Sequence, residues 1–165
     1  MVRFKLKSRG LIISGYALEQ CAIELEARFP TGFAVPCNWE CGAIIEDSEY
    51  AEILSERSFD KSHVCRLSNN ELTKFLGTCG YYFLWLTIAV LDHEPSPDEV
   101  EKLVSEHGDI FGDSSCPMAL DNSIVEISTN DDSEIVLQIR DLELAKALPP
   151  IIIQYGSLTN ESPLG

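Results

Sequence analysis

The sequence predicts an α+β fold, with helices packed on one face of a mainly antiparallel sheet in a single globular domain over residues 1–155. Three observations predict it. Apolar and polar residues alternate near both ends of the chain, the period of a strand with one wet face. Helix-capping signals, followed by apolar residues at helical spacing, occupy the middle. The chain has 165 residues, 45% of them hydrophobic, enough for one domain with a core that needs no disulfide staples.

The first strand is read from Val2, Phe4 and Leu6, which alternate with Arg3, Lys5 and Lys7. Ser8-Arg9-Gly10 reads as a turn and residues 11–13 as a short second strand. Cys21, Ile23, Leu25, Ala27 and Phe29 alternate as in a strand, while Leu18, Cys21, Leu25 and Phe29 also fit one helical face. The Ala, Leu and Glu content favours the helix, and Pro30-Thr31-Gly32 ends either. Residues 33–35 and 43–45 read as short strands joined by a turn at Pro36-Cys37-Asn38-Trp39-Glu40-Cys41. A short helix over 49–58 and a strand over 63–67 follow. Ser68-Asn69-Asn70-Glu71 is a capping-box signal, with Leu67 and Leu72 placed as a hydrophobic staple. That helix meets Gly77 and Gly80, and residues 81–91 then fit either a buried helix or a central strand. The apolar run over 80–91 is too short to span a bilayer, which takes about 20 residues.

A second capping signal, Ser96-Pro97-Asp98-Glu99, has proline at the first helical position. Val125, Ile127 and Thr129 then pair with Ile135, Leu137 and Ile139 across the loop 130–133, a hairpin signal. A helix over 142–148 is expected to stop at Pro149-Pro150, before a last buried strand at 151–153. Residues 156–165 read as a flexible C-terminal tail.

Charge is the outlying property. Twelve basic side chains face 27 acidic ones, a net −15, and Arg3, Lys5, Lys7 and Arg9 place four of the twelve in the first ten residues. Between residues 92 and 143 stand fifteen acids against Lys102 and Arg140. Such a surface repels phosphate backbones and anionic lipid, so direct nucleic-acid and membrane binding are disfavoured. It attracts a basic protein and speeds encounter with it. No secretory signal is read at the start of the chain, so a cytoplasmic location and reduced thiols are expected.

The best metal-ligand set is Cys37, Cys41, His63 and Cys65. Its geometry is poor. In an extended strand Cys37 and Cys41 would stand about 13 Å apart, and His63 and Cys65 about 7 Å. Zinc bonds of roughly 2.0–2.3 Å would need a turn at Asn38-Trp39. Buried thiols are the expected state, and no metal or other cofactor is predicted. Glu40, Glu46 and Asp47 would raise a nearby thiol pKa, which argues against a reactive cysteine in that stretch. Gly112-Asp113-Ser114 reads as a turn, since no histidine follows His107 to complete a hydrolase set.

With no catalytic motif, the sequence points to a non-catalytic inhibitor of a basic partner protein, in the manner of immunity proteins and antitoxins. Trp39 and Tyr50 are the candidate aromatic anchors. Asp98, Glu101, Glu106, Asp109, Asp113, Asp131 and Asp132 are the candidate steering acids. Two other readings stay open. One is a small cytosolic enzyme or regulatory domain with a Cys/His site. The other is an anionic nucleic-acid mimic, whose carboxylates would have to be spaced like phosphates.

Overall fold

Alternation in the first strand sets the two faces of the sheet. A computed structural model describes residues 1–41, 64–78, 83–106, 118–130 and 132–162. The strands are β1 (Val2–Ser8), β2 (Phe33–Cys41), β3 (Leu67–Ser68), β4 (Phe83–Leu91), β5 (Val125–Thr129), β6 (Glu134–Ile139) and β7 (Gly156–Asn160). They form one antiparallel sheet in the order β3-β2-β4-β5-β6-β1-β7. Among the described residues four helices pack on it: α1 (Leu11–Arg28), α2 (Asn69–Thr78), α3 (Pro97–Glu106) and α4 (Leu142–Ile152). The α+β antiparallel architecture read from the sequence is the one observed.

Register carries the alternation across the sheet. Phe4, Leu137, Ile127 and Ile88 lie in one cross-strand row. They join Leu18, Cys21 and Leu25 of α1, Leu72 and Phe75 of α2, and Leu144 and Leu148 of α4 in the larger core. The opposite face starts one residue out of phase. There Val35, Cys37, Ala89 and Leu91 pack under Val100 and Leu103 of α3 and under Ala119 and Leu120. Three helices thus share the face expected for all of them, and α3 covers the other, making this part of the sheet the middle of three layers. Each fully buried Leu or Ile contributes about 1.5–3 kcal/mol to the core it belongs to.

Four local expectations are corrected. Residues 11–13 begin α1 rather than forming a strand, because buried Ser14, Ala17, Leu18, Cys21, Ala22 and Leu25 extend one helical stripe upstream. Gly10, at φ 151°, makes the sharp entry that only glycine takes readily. Residues 36–41 are not a turn between two strands but belong to β2, which pairs with β4 through a register shift between Cys37 and Glu40. Residues 151–153 are not a strand: α4 runs through Pro149-Pro150 to Ile152. Two helical donors are lost there, yet Ile153 N–H still donates to the Pro149 carbonyl, and the chain tightens into a 3₁₀ turn at Ile153–Tyr155.

The fourth correction concerns the tail. Residues 156–160 are not flexible coil but strand β7, paired along β1 from Ser8↔Gly156 to Phe4↔Asn160. The docking is made by main chain and by Leu158, which packs on the larger core. A polar composition conceals contacts of that kind. A Cβ at Gly156 would stand 2.0 Å from the Lys7 carbonyl oxygen. Gly156→Ala is therefore expected to push β7 off β1, at a cost of about 1–3 kcal/mol. The check is faster hydrogen exchange at the Glu161 amide, which donates to the Arg3 carbonyl at 2.8 Å.

The alternative left open for 81–91 resolves as a strand, with β4 placed between β2 and β5. The hairpin is formed as expected, with Thr129↔Ile135, Ile127↔Leu137 and Val125↔Ile139 in register. Asn130 Oδ1 accepts from the amides of Asp132 and Glu134 and so closes the loop. The expected strand and helix over 43–58 lie outside the described residues.

Candidate functional site

The best-built polar constellation on the described surface starts from a helix cap. Ser96 N–H donates to Glu99 Oε2 at 2.8 Å, and Glu99 N–H donates to Ser96 Oγ at 3.2 Å. This is the capping box read from Ser96-Pro97-Asp98-Glu99, and it holds the Glu99 carboxylate at the start of α3. The same carboxylate accepts from Asn122 Nδ2 at 2.8 Å and lies 2.9 Å from His93 Nε2. The other ring nitrogen, Nδ1, lies 2.9 Å from Asp92 Oδ1. One side chain therefore ties the β4–α3 connection to the turn at 121–122.

That turn is anchored from beneath. Glu126 on β5 is only 2% exposed. Its carboxylate accepts from the amides of Ala119 and Leu120, each at 2.8 Å, and from Ser123 Oγ at 2.9 Å. A carboxylate so enclosed stays favourable only because donors replace the lost water. The result is a fixed shelf with exposed carboxylates at Asp92, Glu94, Asp98, Glu101 and Asp121. Of the cations nearby, Arg66 pairs with Glu94, and Arg140 donates to the Asp121 carbonyl.

Hydrogen bonds to Asp92 and then to Glu99 hold the His93 pKa above its ordinary value. Glu99 is driven down to about 2, chiefly by the Asn122 hydrogen bond and then by the Ser96 amide, with His93 adding to it. The signs give a window. The His93 contribution is full below its unfolded pKa of 6.5 and is lost as pH rises through the raised folded value. The Glu99 contribution is full above its unfolded pKa of 4.5 and is lost as pH falls toward 2. Thermal melts are expected to show this clasp strongest between those unfolded values. His93→Gln should flatten the alkaline limb of the stability profile and Glu99→Gln the acid limb. A His93→Gln variant that loses stability as steeply as the wild type when pH rises from 6.5 would disprove the assignment.

The structure separates the two candidate metal ligands whose side chains it describes. Cys37 belongs to the core under α3, whereas Cys65 lies in the larger core on the other face of the sheet. Two thiols on opposite faces cannot share one tetrahedral ion. The side chain of Cys41 and all of His63 lie outside the described residues. Among the described residues no three His, Cys, Asp or Glu side chains group as a metal site. Burial, with the charge of Glu126 adding, pushes the Cys37 thiol up to about 12, and burial next to Glu24 does the same for Cys21. Neither ionises at neutral pH.

Of the two predicted anchors, Trp39 is a core residue, 8% exposed. Its ring meets Phe75 and Phe83 edge-on, with centroids 5.6 and 6.4 Å away. Tyr50 lies outside the described residues, as do Asp109, Asp113 and Asp131. Asp98 and Glu101 are exposed on α3, and Glu106 is that helix's last residue. Asp132 is exposed in the β5–β6 loop, at the opposite end of the sheet from the start of α3. The acids of 92–143 therefore do not form one surface. Sequence reading missed Asp92, Glu94 and Asp121 as a group with Asp98. The capping box signalled one half of it, but nothing local announces the Glu99–Asn122 contact 23 residues apart.

No family model matches this chain, and neither a curated protein nor a solved structure does. No helix among the described residues is long and apolar enough to cross a membrane.

Proposed function

We propose that this chain is a non-catalytic binding protein that recognises a basic partner, of the toxin-neutralising immunity or antitoxin type. The observation that carries the reading is the acidic shelf at the start of α3. Asp92, Glu94, Asp98, Glu101 and Asp121 are exposed there on a backbone pinned by Glu99 and Glu126. Fixed carboxylates on a chain of net −15 raise the encounter rate with a cationic surface. Because the shelf is pre-organised, docking costs little loop ordering.

The test begins with the basic proteins encoded next to this chain's gene, each purified and mixed with it in stopped flow. A true partner is expected to associate roughly tenfold or more slowly when salt is raised from about 50 to about 500 mM. Asp98→Asn with Glu101→Gln should lower the low-salt on-rate several-fold and flatten the salt dependence, with the off-rate changed less. Association with no salt dependence, or one indifferent to these substitutions, would remove the steering mechanism.

A further inference from the structure

The two edges of the sheet are finished differently. At one, β2 is capped by the two-residue β3, and Pro36 stands just beyond that pairing. The Pro36 carbonyl accepts from Cys65 N–H at 3.0 Å on the side away from β4, so the position without an N–H also faces outward. Short edge strands and prolines are the usual means of blocking further pairing. At the other edge β7 reads Gly-Ser-Leu-Thr-Asn, with no charge, no proline and no bulge against β1.

The direction of its main chain is set by two bonds. Glu161 N–H donates to the Arg3 carbonyl, and Arg9 N–H donates to the Tyr155 carbonyl. Odd-numbered residues therefore face β1, and Gly156, Leu158 and Asn160 direct their backbone groups outward. The Gly156 N–H turns back to the Ile153 carbonyl, which leaves its C=O together with both groups of Leu158 and Asn160.

We infer that β7 is a self-association edge, joining two copies of the chain by antiparallel β7–β7 pairing about a two-fold axis at Leu158. The pattern is self-complementary. Leu158 meets its symmetry mate and exchanges two hydrogen bonds with it. Each Asn160 N–H reaches the other copy's Gly156 carbonyl, and Ser157 stands opposite Thr159, a favourable hydroxyl pair. The Leu158 side chains meet on the face of the larger core, on which each copy's Leu158 packs.

Charge favours a second copy as the occupant. Residues 147–160 contain no Asp, Glu, Lys, Arg or His in a chain of net −15. Beside β7 runs β1, with Lys5 and Lys7 in register with Thr159 and Ser157. Two such acidic molecules repel least when they approach along this edge.

The test is sedimentation velocity of the full chain from about 1 to about 500 µM, with Ser157→Glu/Thr159→Glu as the variant. Within one copy the new carboxylates lie next to Lys7 and Lys5, which keeps β7 docked. Across the two-fold they oppose each other. The wild type is expected to shift from monomer to dimer with concentration. The variant should dimerise at least about tenfold more weakly, with its circular dichroism and melting temperature retained. Asn70→Glu/Ser105→Glu, at exposed positions elsewhere, controls for added charge and should dimerise far more strongly than the edge variant. A wild type monomeric throughout would overturn the proposal, including the case in which only a strand from another protein pairs here. A dimer indifferent to the edge variant would overturn it as well.

Discussion

Trp39→Ala is expected to lower stability by about 3–5 kcal/mol, the range for removing a buried aromatic ring. The ring is wedged between α2 and the start of β4, edge-on to Phe75 and Phe83, whose own rings stack at 5.6 Å. Truncation leaves a cavity at the junction of three elements, which the close-packed neighbours fill only in part. Urea titration should show a midpoint lower by about 1–2 M with little change in slope. Trp39→Phe, which keeps part of the volume and the aromatic contact, should lose less than half as much. If the midpoint of Trp39→Ala matches the wild type, the tryptophan does not fill the core. A surface anchor would give that result, with the loss appearing in partner binding instead.

Glu126→Ala is the second large effect. It strips the acceptor from the amides of Ala119 and Leu120 and from Ser123 Oγ in a dry site. Unsatisfied buried donors cost about 1–3 kcal/mol each, so a total loss of about 2–5 kcal/mol is expected. Glu126→Gln keeps one acceptor oxygen and should lose about half of that. The local readout is hydrogen exchange at Ala119 and Leu120, which should quicken on the order of 100-fold in the alanine variant. Unchanged exchange at both amides would show that the loop is held by other contacts. In the proposed function the same change loosens the base of the acidic shelf. Partner association should then weaken even though every exposed carboxylate remains.

Cysteine and tryptophan show how far side-chain placement could be read from sequence. Cys37 and Trp39 are two residues apart, a spacing that puts both on one face of a regular strand. They lie in different cores on opposite faces because the register shifts between Cys37 and Glu40. One inserted residue reverses the side chains that follow until a second shift, here between Glu40 and Cys41, and no local pattern announces it.

What the sequence determined by itself is what a few neighbouring residues decide. The Ser96–Glu99 capping box and the β5–β6 hairpin with its register both rest on contacts within a turn or across one loop. So does net charge, which needs only counting. Tertiary structure alone decided that α3 lies on the face opposite the other helices and that Gly156–Asn160 adds a seventh strand beside β1. It alone also brought Asn122 to Glu99. The physical reason is common to the three. Each depends on groups far apart in the chain whose meeting is fixed by burial and by main-chain hydrogen bonds, and those terms are set only once the whole sheet is assembled.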